Sequence, residues 1–130
     1  MTKFLAAIIT AFGLCAATVA QATDIPMDTI VLGGLDKVAA RVNTVSGKVG
    51  APVAFGTLEI VARTCTTHPS EETPENAAFL EIFQLLDGGK KEKVFSGWMF
   101  ASTPSLSALD HPVYDVWVLR CESSTASKSR

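Results

Sequence analysis

Cysteine and histidine are the residue types in this chain that could support metal binding, redox chemistry or nucleophilic catalysis, and they are few. The 130 residues include three cysteines and two histidines, and His68 and His111 each precede a proline in a segment that we predict to be a loop. A zinc site needs three or four ligands, yet there is no HxH or HExxH spacing. A GxSxG elbow and a phosphate-binding glycine loop are also absent from the sequence. The sequence therefore predicts no metal site, no cofactor and no catalytic residue.

One catalytic alternative uses Ser105 or Ser107 with His111 and an aspartate, Asp110 or Asp115. Catalytic triads are defined by geometry, and most chains contain these three residue types. Serine and aspartate in such a segment are more typical of caps and turns. An enzyme is therefore our third hypothesis, behind two binding functions.

The N-terminal segment has the pattern of a secretory signal peptide. Lys3 is followed by an uncharged, mostly apolar stretch over residues 4–20, and Ala20 and Ala22 lie at the −3 and −1 positions of an A-x-A site. We predict cleavage after Ala22, with Ala20 as the second choice, and a periplasmic location. The alternative is a retained membrane anchor, but polar residues dilute the stretch and no basic cluster follows it.

Cleavage of residues 1–22 would leave two cysteines, Cys65 and Cys121. Cys15 lies within the apolar stretch after Leu14, whereas a lipoprotein requires a small residue before its lipidated cysteine. An even number of cysteines in an oxidising compartment indicates a disulfide, and two cysteines allow one pairing. The alternatives are two free thiols or a redox pair, although redox pairs are usually close in sequence.

Short alternating segments separated by turn residues predict an all-β domain over residues 35–122. We expect a small antiparallel sandwich or barrel of five to six strands, closed by the disulfide. Residues 23–34 are interpreted as a lead-in, and residues 123–130, rich in serine, as a disordered tail. The strand candidates begin at Leu35, Pro52, Thr57, Ala78, Val94 and Val113.

Two connections have recognisable turn chemistry. Asp87-Gly88-Gly89-Lys90 predicts a hairpin, which favours strand over helix for the apolar segment 78–86 before it. Residues 102–109, with Pro104 near their start, predict one short helix that ends before Pro112. The strand at Thr57 would pair with the strand at Val113, which would bring the two cysteines together.

Aromatic residues are concentrated in the C-terminal half of the chain. Core packing is the ordinary role of large aromatic side chains in a small domain. The functional alternative is a groove that faces a partner or a ligand. The residues that could form this surface are Trp98, Met99, Phe100, His111, Tyr114 and Trp117.

The chain resembles DUF2155, an uncharacterised family found in alphaproteobacterial envelopes. The resemblance covers most of residues 35–121. It implies a signal peptide, a periplasmic location and a cysteine pair, but no activity, so it assigns no catalytic residue. The segments that carry it are Phe55–Glu59, Ala78–Ile82, Val94–Ser102 and Ser105–Cys121, together with Cys65.

A non-enzymatic envelope module that binds a protein partner or supports an assembly is our leading hypothesis. Export, small size and the lack of a catalytic constellation favour it. The net charge of −2, without a basic stripe, argues against a nucleic-acid partner. After signal cleavage no segment is long enough to span a membrane. The second hypothesis is a protein that binds a small apolar ligand or a lipid between aromatic strands.

Overall fold

The computed structural model of the chain describes residues 24–69 and 74–124. The predicted signal peptide, residues 1–22, lies outside these ranges. Two 3-10 turns, Asp87–Gly89 and Pro104–Leu106, accompany eight strands in the described ranges. The strands are β1 (Ile25–Pro26), β2 (Thr29–Asp36), β3 (Arg41–Lys48), β4 (Pro52–Phe55), β5 (Leu58–His68), β6 (Glu75–Leu85), β7 (Lys91–Phe100) and β8 (Tyr114–Glu122).

The strands form two antiparallel sheets that pack face to face as a sandwich. In sheet A, β5 pairs with β6, which pairs with β7, and β5 also pairs with β1 and β4. In sheet B, β2 lies between β3 and β8. The prediction of an all-β antiparallel fold is confirmed, and of its two forms the sandwich is the one that fits. The described strands number eight rather than five to six.

Alternation along the strands decides which side chains form the core. In β6, Ala78, Leu80 and Ile82 are fully buried, whereas the intervening residues are only partly so. This period-two pattern places one row of each sheet between the sheets. The fully buried large side chains are Ile30, Leu32, Leu58, Ile60, Leu80, Ile82, Met99 and Val118.

The segment interpreted as a lead-in contains the central strand of sheet B. Residues 30–34, on β2, are all buried. Aromatic rings cover two adjacent glycines of this strand. A Cβ at Gly33 would overlap the indole of Trp117, and a Cβ at Gly34 would overlap the ring of Phe55. These glycines therefore admit two large side chains onto a continuous strand.

Cys65 and Cys121 form the predicted disulfide, with 5.7 Å between their Cα atoms. The predicted pairing of their strands is wrong, because β5 belongs to sheet A and β8 to sheet B. The bridge therefore links the two sheets instead of two neighbouring strands. Beside it, Asn76 Oδ1 accepts a hydrogen bond of 3.1 Å from the Cys121 amide.

The short helix predicted over residues 102–109 is not confirmed. Only the turn Pro104–Leu106 forms, with a backbone hydrogen bond from Leu106 to Thr103. Helix nucleation is unfavourable in a segment this short, and Leu109 anchors the connection by its burial instead. The connection runs from β7 to β8, and the three residues of its 3-10 turn are exposed.

The C-terminal end of the described chain lies against the segment between β1 and β2. Ser124 donates hydrogen bonds to Asp28 from its amide, at 2.7 Å, and from its hydroxyl, at 2.6 Å. These bonds lower the pKa of Asp28. The start of the predicted disordered tail is thus held against the segment before β2, while residues 125–130 lie outside the described ranges. None of the helical turns in the described chain has the length and apolar character of a bilayer span.

Candidate functional site

The outer face of sheet A, which points away from sheet B, carries the largest exposed aromatic side chain of the described residues. Strand register aligns Phe79 with Trp98 and Ala77 with Phe100 on this face. The rings of Phe79 and Trp98 meet edge to face, 5.7 Å apart. Trp98 nevertheless remains 43% exposed. An indole held rigidly and yet solvated in this way is typical of a contact surface.

Trp98 forms one wall of a surface depression that we call the aromatic groove. Its volume is about 450 Å³, which lies within the range of small-molecule and side-chain binding pockets. Strands β5, β6 and β7 form its floor, and the segment before β1 closes one side. The residues that line it are Asp24, Thr66, His68, Glu75, Ala77, Trp98 and Phe100.

Two carboxylates lie at the rim of the aromatic groove. Asp24 Oδ1 is 2.9 Å from Nδ1 of His68. Glu75 accepts hydrogen bonds from the hydroxyl and amide of Ser102 and from the Asn76 amide. Burial would raise the pKa of Glu75, but these hydrogen bonds outweigh it and lower the pKa. No lysine or arginine of the described residues forms an ion pair with either carboxylate.

The opposite end of the same face carries a set of ion pairs that we call the charged ladder. Its members are joined across β5, β6 and β7 by N···O distances of 2.8 to 3.4 Å. The ammonium of Lys93 also lies 5.7 Å from the centre of the Phe83 ring. A hydrogen bond and the charge of Arg63 lower the pKa of Glu81. The ladder consists of the pairs Arg63–Glu81, Lys93–Glu81 and Lys91–Glu59.

His111 has both ring nitrogens engaged in structural hydrogen bonds. Nδ1 accepts from the amides of Val113 and Tyr114 at 3.1 Å, which requires an unprotonated nitrogen. Nε2 therefore carries the proton and donates to Gln84 Oε1 at 2.8 Å. Gln84 in turn donates to the Thr57 hydroxyl at 2.7 Å. This network fixes the start of β8 against the end of β6, and neither nitrogen is left to act as a base.

Tyr114 extends this network into an aromatic cluster. Its ring packs edge to face on Phe55, 5.5 Å away, and lies 5.3 Å from the His111 ring. Its ring and hydroxyl also occupy the space next to Gly56, whose φ of 57° suits glycine. His111 and Tyr114 thus lie together, but near the ladder end of β6 rather than in the aromatic groove.

The six side chains predicted to form one surface are distributed over different parts of the sandwich. Trp98 and Phe100 line the aromatic groove. Met99 points the opposite way and is 2% exposed, so it packs in the core. Trp117 covers Gly33 in sheet B and borders a separate depression with Pro104.

Sequence reasoning missed the polar half of the aromatic groove. Asp24 was assigned to the lead-in and His68 to a loop, and Glu75 was not among the predicted site residues. Strand pairing joins them, because β5 places His68 opposite Glu75, and β1 pairs with the end of β5. The local signal was the continuation of period two beyond Cys65, through Thr66 and His68. No group of three or more metal-ligating side chains occurs among the described residues.

Comparison with known proteins finds relatives without an assigned function. Residues 30–121 match the model of a family described as an uncharacterized protein conserved in bacteria, DUF2155. The uncharacterized protein RP359 of Rickettsia prowazekii (strain Madrid E) is 26% identical over 87 residues, which are 67% of this chain and 56% of that protein. The chain thus spans about half the length of the curated relative that it matches. No solved structure matches it.

Proposed function

Since the chain belongs to DUF2155, a bacterial family without a described activity, we propose a function from its own site: an exported, non-enzymatic module that binds a protein partner in the cell envelope. The aromatic groove is the contact surface. The single observation that carries this proposal is the exposed indole of Trp98 in a depression with a rigid strand floor.

Export to the periplasm is supported by two independent features. The N-terminal residues have the charge, apolar stretch and A-x-A site of a signal peptide. The Cys65–Cys121 bridge requires a compartment in which disulfides persist. Mass spectrometry of the envelope protein tests both, because the expected mature chain begins at Thr23 and gains two daltons on reduction. A chain that begins at Met1 contradicts the proposal of export through a cleaved signal.

A protein partner is supported by the chemistry of the aromatic groove. Tryptophan anchors contribute strongly to protein interfaces when a polar rim surrounds them. Trp98 has such a rim in Asp24, His68 and Glu75. The groove is open along sheet A, so an extended segment of another chain can enter it without unfolding the sandwich.

Site-specific photocrosslinking in living cells tests the proposed surface. Ser96 is exposed and two residues from Trp98 on β7, so a photoreactive phenylalanine at Ser96 lies beside the groove. We expect one discrete protein adduct from this position. The same probe at Asn43, an exposed residue of β3 in sheet B, is the matched control and should give no such adduct.

A second substitution relates the adduct to the groove itself. Trp98→Ala should abolish the adduct from the Ser96 probe, whereas Phe83→Ala, at the ladder end of the same face, should leave it unchanged. Circular dichroism of both variants is the control for correct folding. Only monomer at Ser96, or an adduct that survives Trp98→Ala, contradicts the proposal.

A small apolar ligand in the same groove is the second candidate function. The apolar side chains of Ala77, Trp98 and Phe100 in about 450 Å³ favour it. It predicts a ligand that is released when the purified protein is denatured and that Trp98→Ala does not retain. Native mass spectrometry measures this directly, and a wild-type mass equal to that of the bare chain rejects it.

A further inference from the structure

We infer that the aromatic groove binds a lysine or arginine side chain of the partner protein. This inference rests on the proposed function and specifies the chemistry of the partner. It combines an apolar floor, an anionic rim and exposed aromatic rings in one depression. Each of these features suits one part of a long basic side chain.

Charge complementarity is the first argument. The lining of the groove contains two carboxylates and no lysine or arginine. On the same face of sheet A, Glu59 and Glu81 each have a basic partner within 3.4 Å. Asp24 lies beside the His68 ring nitrogen, and Glu75 accepts hydrogen bonds from neighbouring residues. Neither has a lysine or arginine partner among the described residues, unlike the ladder acids, so a cation from outside the described chain can approach them.

The aromatic rings are the second argument. A cation over an aromatic face gains about 0.5–1 kcal/mol at exposed sites. The protein already uses this contact at the ladder end, where Lys93 lies over Phe83. At the groove end Trp98, the better ring type for this contact, is 43% exposed. The rings of Trp98 and Phe100 thus offer an incoming cation the contact that Phe83 makes within the chain.

The shape of a basic side chain is the third argument. Lysine and arginine carry an apolar stem of three or four methylenes and a charged head. The stem can lie on Ala77 and the aromatic rings while the head reaches Asp24 or Glu75 at the rim. A small inorganic cation would leave the apolar floor unused, and a purely apolar ligand would make no use of the carboxylates at the rim.

Nuclear magnetic resonance of the disulfide-bonded protein tests the inference. The probe is an acetylated, amidated tetrapeptide of alternating lysine and leucine. The matched peptides replace lysine by neutral norleucine or by glutamate. The protein contains two tryptophans, and Trp98→Phe assigns their indole N–H signals. We expect the lysine peptide to shift the Trp98 signal and leave the Trp117 signal unchanged, and neither matched peptide to do so.

Substitutions at the two ends of the face test the role of the carboxylates. Asp24→Asn and Glu75→Gln should each weaken binding of the lysine peptide by up to about fivefold, in the range of exposed charge contacts. Glu59→Gln removes the same charge from the ladder and should leave binding unchanged. The inference is overturned if Glu59→Gln weakens binding as much as Asp24→Asn, or if norleucine replaces lysine without loss.

Three further outcomes separate this inference from the proposed function and from a lipid. Phosphatidylcholine vesicles also present an ammonium, and a Trp98 shift with vesicles but not with the lysine peptide assigns the groove to a membrane headgroup and overturns the inference. Trp98-dependent crosslinks without peptide binding also overturn it while the proposed function stands. Peptide binding without any crosslink from Ser96 supports the basic-side-chain chemistry of the groove and contradicts the proposed function.

Discussion

The two ends of the outer face of sheet A use the same three strands for different purposes. At one end the charged ladder satisfies its own acids, and Lys93 covers the ring of Phe83. At the other end the aromatic groove leaves Trp98 exposed and its carboxylates without a lysine or arginine within the described chain. The same strands pair at both ends, with a register shift between Ala62 and Thr64 on β5 separating the two sets of side chains. The end where the acids lack a lysine or arginine partner and the indole is exposed is the end where a partner would bind.

Support beneath the face also differs between the two ends. Under the groove, Cys65 lies beside Ala78 in the row that faces sheet B, and the disulfide ties that row to β8. Near the ladder, the His111–Gln84 network holds the start of β8. One end therefore depends on a covalent bond and the other on hydrogen bonds. Substitutions in each should separate the stability of the two ends.

Removal of the disulfide should have the largest effect. The Cys65→Ala/Cys121→Ala variant opens a loop with a sequence separation of 56, and chain entropy predicts a loss of about 4 kcal/mol in the free energy of unfolding. Urea denaturation measures this loss. Hydrogen exchange should show that amides near Thr66 and Ala77 lose more protection than amides near Glu59 and Phe83. An equal loss of amide protection at both ends would contradict the claim that the disulfide mainly stabilises the groove end.

Turn chemistry and period-two alternation were enough to predict much of this fold. The Asp87–Lys90 hairpin joins β6 and β7 as expected, and the family match confirms the resemblance read from the sequence. The interpretation of residues 23–34 as a lead-in missed β2, in which rings from distant strands cover Gly33 and Gly34. Local sequence does not show which residues will pack against a glycine.

The candidate site was only half predictable for a related reason. Trp98 and Phe100 are two residues apart, so alternation alone places them on one face and Met99 on the other. Asp24 reaches the same depression through β1, which pairs with β5 across more than forty residues of sequence. Cross-strand register depends on the whole sheet, and no local spacing encodes it.

The two histidines offer a matched substitution at the two ends. His111→Ala removes the acceptor of two backbone amides and the Gln84 contact, and unsatisfied donors of this kind cost about 1–3 kcal/mol. His68→Ala removes one exposed contact with Asp24, and such surface changes stay within about 0.5 kcal/mol. Thermal and urea denaturation compare the two variants.

The same pair also tests the distribution of function. We expect His111→Ala to leave the Ser96 crosslink in place once the variant is folded, and His68→Ala to alter the crosslink yield with little change in stability. If both substitutions destabilise the protein equally, the ladder end and the groove end do not differ in their contribution to stability. Loss of the crosslink in folded His111→Ala would move the contact surface toward Tyr114.

The smallest expected effect is the pH dependence of the charged ladder. The hydrogen bond and charge of Arg63 hold the pKa of Glu81 below its usual 4.5, so the folded protein binds this proton less tightly than the unfolded chain. The resulting stability is complete above pH 4.5 and is lost as the pH falls through the lowered value. In the Glu81→Gln variant, the free energy of unfolding should therefore decrease less as the pH is lowered.

Arg63→Gln provides the partner test for this prediction. If the lowered pKa of Glu81 arises from its contact with Arg63, each single variant should reduce the loss of unfolding free energy at low pH. The double variant should then reduce it little further. Urea denaturation between pH 3 and pH 7 at low salt gives the three profiles, since salt screens an exposed pair. If the unfolding free energy of Glu81→Gln falls with acid as steeply as that of the wild type, the ion pairs of the ladder do not stabilise the fold. The contrast with the aromatic groove would then lose its electrostatic basis.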